Sequence, residues 1–169
     1  AAPSVDFLSP DIYQPNFREH CAAFAVDGNP LFVPEAKNTA AAAANALYAI
    51  GKHRGLGFSP FAIDDIAEDH PLVETYGVLA ELLPFLDAQH PEANTTAFVQ
   101  ESDTEEWEEQ LGEYVFRART DTPLNDDAVP GGAMLVHLGA DEFLCLGRGI
   151  TLTCHGRSGR PAELIALDT

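Results

Sequence analysis

The sequence predicts two regions of different architecture: α/β over residues 1–92, and all-β over residues 93–169. Three observations carry this. Up to about residue 90, short apolar runs alternate with helical stretches in the order β-α-β-α-β-α, which implies a parallel sheet. Each apolar run ends at once in a polar tip that contains proline. From about residue 94, alternating runs recur between glycine-bearing turns, the pattern of antiparallel strands.

In order, Val5-Asp6-Phe7-Leu8 reads as a strand ending at Ser9-Pro10, and Asn16 to Ala25 as a helix closed by Asp27-Gly28. Leu31-Phe32-Val33 is a second strand, ending at Pro34-Glu35. Thr39 is placed to cap an alanine-rich helix that runs to about Gly51. Gly55 to Phe58 is a third strand, ending at Ser59-Pro60-Phe61. Pro71 to Gln89 is a helix with Leu72, Tyr76, Leu79, Leu83 and Leu86 on one stripe. Beyond a boundary near His90 to Asn94, strands are expected at Ala97 to Val99, Tyr114 to Arg119, Ala133 to Leu138, Glu142 to Leu146, Ile150 to Cys154 and Glu163 to Leu167. Glu105 to Glu109 is an acidic stretch around Trp107, and Asp121 to Gly132 a loop. Three parallel strands leave raw edges, so the chain reads as a piece of a longer one.

Composition narrows the function. Asp and Glu total 27 against 9 Lys and Arg, a net charge of −18. That field repels nucleic acid and anionic membranes and suits a neutral substrate such as a sugar. No apolar run is long enough for a membrane span. Cys21, Cys145 and Cys154 lack CxxC spacing and read as free, buried thiols. If Gly147-Arg148-Gly149 closes a symmetric hairpin, Cys145 faces Thr151 and cannot bond Cys154. The six histidines are scattered without zinc spacing, and neither a GxSxG elbow nor a P-loop is present. No metal and no cofactor are expected.

Ligands on parallel α/β folds gather at the C-terminal tips of the strands. Glu35 ends an apolar strand and suits a nucleophilic carboxylate attacking a sugar C1. It suits equally a carboxylate near a helix N-terminus. Tyr13 is placed to hydrogen-bond Glu35 or to form a half-buried lid. Asp11 suits a sugar hydroxyl or a helix cap. Phe61 suits stacking on a sugar or filling the mouth of the site. Asp64 suits a hydroxyl ligand or a solvated loop, and Lys37 and Asn38 suit substrate contact or capping.

Asp6-Phe7-Leu8-Ser9-Pro10-Asp11-Ile12-Tyr13, Asn29-Pro30-Leu31-Phe32-Val33-Pro34-Glu35-Ala36, Ala49-Ile50-Gly51 and Gly57-Phe58-Ser59-Pro60-Phe61 carry a resemblance. Together they resemble strands six, seven and eight of the (β/α)8 TIM barrel of bacterial glycoside hydrolase family 35 β-galactosidases. Gly132 to Val136, Asp141 to Leu144 and Gly147-Arg148-Gly149 look like the β domain that follows the barrel in one branch. The resemblance implies a retaining mechanism with Glu35 as nucleophile and Tyr13 in contact with it. It further implies a terminal β-linked galactose as substrate and no cofactor. The acid/base glutamate would then lie outside this sequence. Strands one to five would precede Ala1, and that missing segment of the same barrel would be the chain's first partner. A polysaccharide-degrading parent fits a periplasmic or extracellular setting. Two other readings stay open: a non-catalytic carbohydrate-binding or structural module, and an α/β hydrolase using Asp11.

Overall fold

The computed structural model describes residues 4–89, 93–120, 123–124 and 128–157. Its first sheet is parallel and consists of β1 (Asp11–Ile12), β2 (Phe32–Ala36) and β3 (Gly57–Pro60), in that order. Helix α1 (Phe17–Phe24) joins β1 to β2, and α2 (Ala42–His53) joins β2 to β3. A short turn of 3-10 helix (Ile63–Asp65) leads to α3 (Pro71–Gln89). The second region contains β4 (Asn94–Val99), β5 (Glu106–Leu111), β6 (Tyr114–Arg119), β7 (Gly132–Gly139), β8 (Glu142–Arg148) and β9 (Thr151–Gly156). These form two antiparallel sheets, β4-β7-β8 and β5-β6-β9.

The order of layers follows from which residues each element can bury. Helix α2 lies between the parallel sheet and the β4-β7-β8 sheet, and so buries most of its surface. Small side chains permit this close approach. A Cβ on Gly51 would stand 2.8 Å from Met134 Cγ and 2.9 Å from Ala97 Cβ. Residues 96–99 of β4 and 132–136 of β7 are buried on both faces, which is why Ala97 to Val99 and Ala133 to Val136 read as continuous apolar runs. Ala97, Val99, Met134 and Val136 face the α2 side. Phe98, Ala133 and Leu135 face the other side, against Leu111, Tyr114, Phe116 and Ala118 of the β5-β6-β9 sheet. The α2-side cluster runs from Ile12 and Val33 to Val136, and so crosses the expected boundary between residues 92 and 93.

This arrangement overturns the expected barrel. Among the described residues no barrel units assemble, and the architecture is three small sheets with mostly β content. The parallel strands have only two, five and four residues. Barrel helices form an outer ring, whereas α2 is enclosed by a second sheet. The apolar runs at Leu31 to Val33 and Gly55 to Phe58 announced strands, but periodicity carries no information on what packs against the far side of a helix.

Several local expectations also shift. Val5 to Leu8 forms no strand; Asn29 takes both backbone groups of Leu8, with Leu8 N–H donating to its Oδ1 at 2.7 Å and its Nδ2 donating to Leu8 O at 3.0 Å. Strand β2 continues through Pro34 and Glu35 to Ala36, so Glu35 lies within a strand, beside an irregularity between Val33 and Ala36. Thr39 does not cap α2 with its side chain; its carbonyl accepts from Ala42 N–H at 2.8 Å. The acidic stretch around Trp107 becomes β5. Leu72, Leu79 and Leu86 of the α3 stripe are buried, but Leu83 is exposed. Strands β8 and β9 belong to different sheets, so Gly147-Arg148-Gly149 is a crossover and Cys145 does not face Thr151. All three cysteines are free: Cys21 is buried, Cys154 half-buried and Cys145 exposed. The strand expected at Glu163 to Leu167 lies outside the described residues, as do His90 and Asp121.

Candidate active site at the ends of the parallel strands

Parallel pairing places Asp11 opposite Glu35. Residues two apart on an extended chain share a face, so Asp11 and Tyr13 project on the side of Glu35, while Ile12 and Ala36 turn into the core. The Tyr13 hydroxyl donates a hydrogen bond to Glu35 Oε1. Tyr13 is 44% exposed and Glu35 half-buried, so the pair is accessible from solvent. The hydrogen bond to Glu35, then loss of water, then the negative charges of Glu35 and Asp11 push the Tyr13 phenol up to about 12. Tyr13 therefore keeps its proton at neutral pH and serves as a fixed donor to the carboxylate.

The remaining expected site residues surround this pair unevenly. Lys37 and Asn38 are exposed just beyond β2, with Lys37 N–H donating to Ile12 O at 3.3 Å. Phe61 follows β3, is 61% exposed, and donates its N–H to Ala36 O at 2.9 Å, one residue from Glu35. Asp64 is exposed on the 3-10 turn, and among the described residues no hydrogen bond joins it to Tyr13 or Glu35. Nor do the described residues contain a group of three His, Cys, Asp or Glu placed to hold a metal ion. No described helix is long and apolar enough to cross a membrane.

The second region reaches this end of the molecule through residues that sequence reading missed. Arg18, in the first turn of α1, donates from Nε to Glu101 Oε2 at 2.8 Å and from a terminal nitrogen to Glu105 Oε1 at 2.6 Å. Its backbone N–H donates to Glu101 Oε1 at 2.7 Å. Glu105 Oε2 in turn accepts from Glu101 N–H at 2.8 Å. Gln100 is buried, with Gly131 N–H donating to its Oε1 at 2.9 Å. This network brackets a cavity of about 780 Å3 bordered by Tyr13, Lys37, Asn45, Gln100 and Glu101. Partners more than eighty positions apart leave no periodic signal in the sequence.

Residues 72–169, more than half of the chain, match the family described as Domain of unknown function (DUF5597). The chain belongs to the DUF5597 family. In this DUF5597 protein the matched part takes in nearly all of α3 and strands β4 to β9, whereas Tyr13 and Glu35 precede it. No curated protein matches the sequence.

Proposed function

We propose that this DUF5597 protein contributes the nucleophile of a retaining glycoside hydrolase that removes terminal β-linked galactose. The observation that carries the reading is the Tyr13–Glu35 hydrogen bond at the mouth of the parallel sheet. A Glu35 oxygen attacks the sugar C1, forming an ester as the bond from C1 to the leaving oxygen breaks. A second carboxylic acid, about 5–5.5 Å away in retaining enzymes, protonates that oxygen. The same group then takes a proton from water, which attacks C1 and frees Glu35. Tyr13 orients the carboxylate before attack. The acid is assigned to a glutamate beyond these residues, in line with the family 35 resemblance. Exposed Phe61 offers a ring for the apolar face of the sugar, and Asp11 an acceptor for its hydroxyls.

The test uses a reagent that dispenses with the acid. A dinitrophenyl β-galactoside with fluorine in place of the hydroxyl beside C1 loses dinitrophenolate without protonation. On the full natural protein it should release one equivalent of dinitrophenolate and leave the fluorosugar on Glu35, located by peptide mass spectrometry. Glu35→Gln should abolish both. An unlabelled protein, or labelling that persists in Glu35→Gln, overturns the assignment. Sugar binding without any labelling would favour a non-catalytic carbohydrate-binding module.

A further inference from the structure

We infer that Glu101, within the part matched to DUF5597, is a positioning residue for the Tyr13–Glu35 pair: it caps α1 from outside the helix and so fixes the chain that carries Tyr13. What Glu35 then does rests on the glycosidase reading; how Tyr13 is held does not. From its N-terminal side Tyr13 is held weakly. Strand β1 has two residues and lies at the edge of the described parallel sheet. From Tyr13 to Phe17 the chain borders the cavity of about 780 Å3, with Gln100 and Glu101 also on its lining. The second anchor is therefore the start of α1, and that helix does not supply its own cap. Asn16 stands at the N-cap position without a side-chain cap bond, and its Nδ2 donates to Glu19 Oε2 at 2.6 Å instead. The first N–H groups of a helix have no partner within it. Glu101 Oε1 accepts that of Arg18 at 2.7 Å, from a residue eighty-three positions along the chain. A carboxylate there also meets the positive end of the helix dipole.

The cap has a firm base. Arg18 Nε donates to Glu101 Oε2 at 2.8 Å, so one carboxylate holds both the backbone and the side chain of Arg18. Glu105 accepts from a terminal nitrogen of Arg18 at 2.6 Å and from Glu101 N–H at 2.8 Å. Glu105 is tied in turn to buried Thr120, donating its N–H to Thr120 Oγ1 at 3.2 Å and accepting Thr120 N–H at 3.0 Å. Tyr13 lies between β1 and this capped turn, on a short stretch stiffened by Pro15. Loss of the cap lets the first turn of α1 fray, and the Tyr13 hydroxyl then loses its aim at Glu35. The charges that act on the Tyr13 phenol are those of Glu35 and Asp11, so Glu101 reaches it through position and not through its own field.

The full protein, carrying tyrosine labelled with carbon-13 at Cζ, reports on Tyr13 by NMR without any substrate, and Tyr13→Phe assigns its signal. In the unaltered protein the phenol, pushed up to about 12, stays protonated at about pH 11, where an ordinary phenol has ionised. Glu101→Ala should let Tyr13 ionise with a midpoint near the ordinary 10.0, while the other amide signals keep their dispersion. Glu101→Gln keeps one acceptor oxygen for the Arg18 N–H and should fall between the two; it also carries the test where Glu101→Ala does not fold. With the fluorosugar reagent, Glu101→Gln should slow labelling of Glu35 at saturation by about ten- to a hundredfold and leave the half-saturating concentration unchanged, the mark of a reacting group misaligned and not lost. A Tyr13 that resists ionisation in the folded variants as it does in the unaltered protein overturns the positioning role, whatever the labelling. A Tyr13 released by Glu101→Ala in a protein that never labels at Glu35 retains the positioning role and rejects the glycosidase.

Discussion

Adding one methyl group to two helical glycines should move stability in opposite directions. Gly77 lies inside α3, exposed, with nothing within 4 Å of an added Cβ. There Gly77→Ala gains only the lower conformational freedom of the unfolded chain and better helix propensity, about 0.5–1 kcal/mol of stabilisation. Gly51 lies in α2 and receives the same intrinsic gain, but its new Cβ would stand 2.8 Å from Met134 Cγ and 2.9 Å from Ala97 Cβ. The Met134 side chain can rotate away; Ala97 Cβ is fixed to a central strand and moves only with the backbone. Overpacking of this kind costs about 1–3 kcal/mol, so Gly51→Ala should destabilise by about 1 kcal/mol net. Urea unfolding of both variants, read by far-UV circular dichroism, measures the two values at constant m. Stabilisation by Gly51→Ala would refute the close docking of α2 on β4 and β7, and with it the sequence of layers.

Two further outcomes follow from buried charge. His53 has its Nε2 buried without a partner and its ring edge-on to Tyr48, and burial, then the charge of Lys52, lowers its pKa below 6.5. The unfolded chain therefore takes up the proton first, so the stability held by neutral His53 is complete above about pH 6.5 and is lost as pH falls through the folded value. His53→Phe should flatten the acid side of the stability profile; parallel profiles for the two proteins would contradict the burial. Arg18→Gln leaves Glu101 and Glu105, whose side chains are only 17% and 14% exposed, without their cation. It should lower unfolding stability by about 2 kcal/mol, and a change under about 0.5 kcal/mol would show the network to be ornamental.

The Tyr13–Glu35 pair and the α1 network show why some of the site was legible and some was not. Apolar runs followed by Pro10, Pro34 and Pro60 let the candidate residues be named in advance from local chemistry, although only Pro60 ends its strand: β1 begins after Pro10 and β2 runs on through Pro34. Register is different: that Asp11 pairs with Glu35, and so aims Tyr13 at it, depends on how two strands slide before docking. Lys37 was likewise named from the sequence, but the cavity it borders also needs Gln100 and Glu101 from the second region.

By itself the sequence determined the local menu: the helical spans at Phe17, Ala42 and Pro71, most strands of the second region, and an acidic surface. Those depend on periodicity, proline and charge, each expressed within a few residues. Only the tertiary structure decided that α2 is covered by β4 and β7, that β8 and β9 part into separate sheets, and that no barrel assembles among the described residues. The physical reason is that burial is non-directional. An alanine-rich helix accepts whichever apolar surface reaches it, and which one does is settled by the shape of the whole chain.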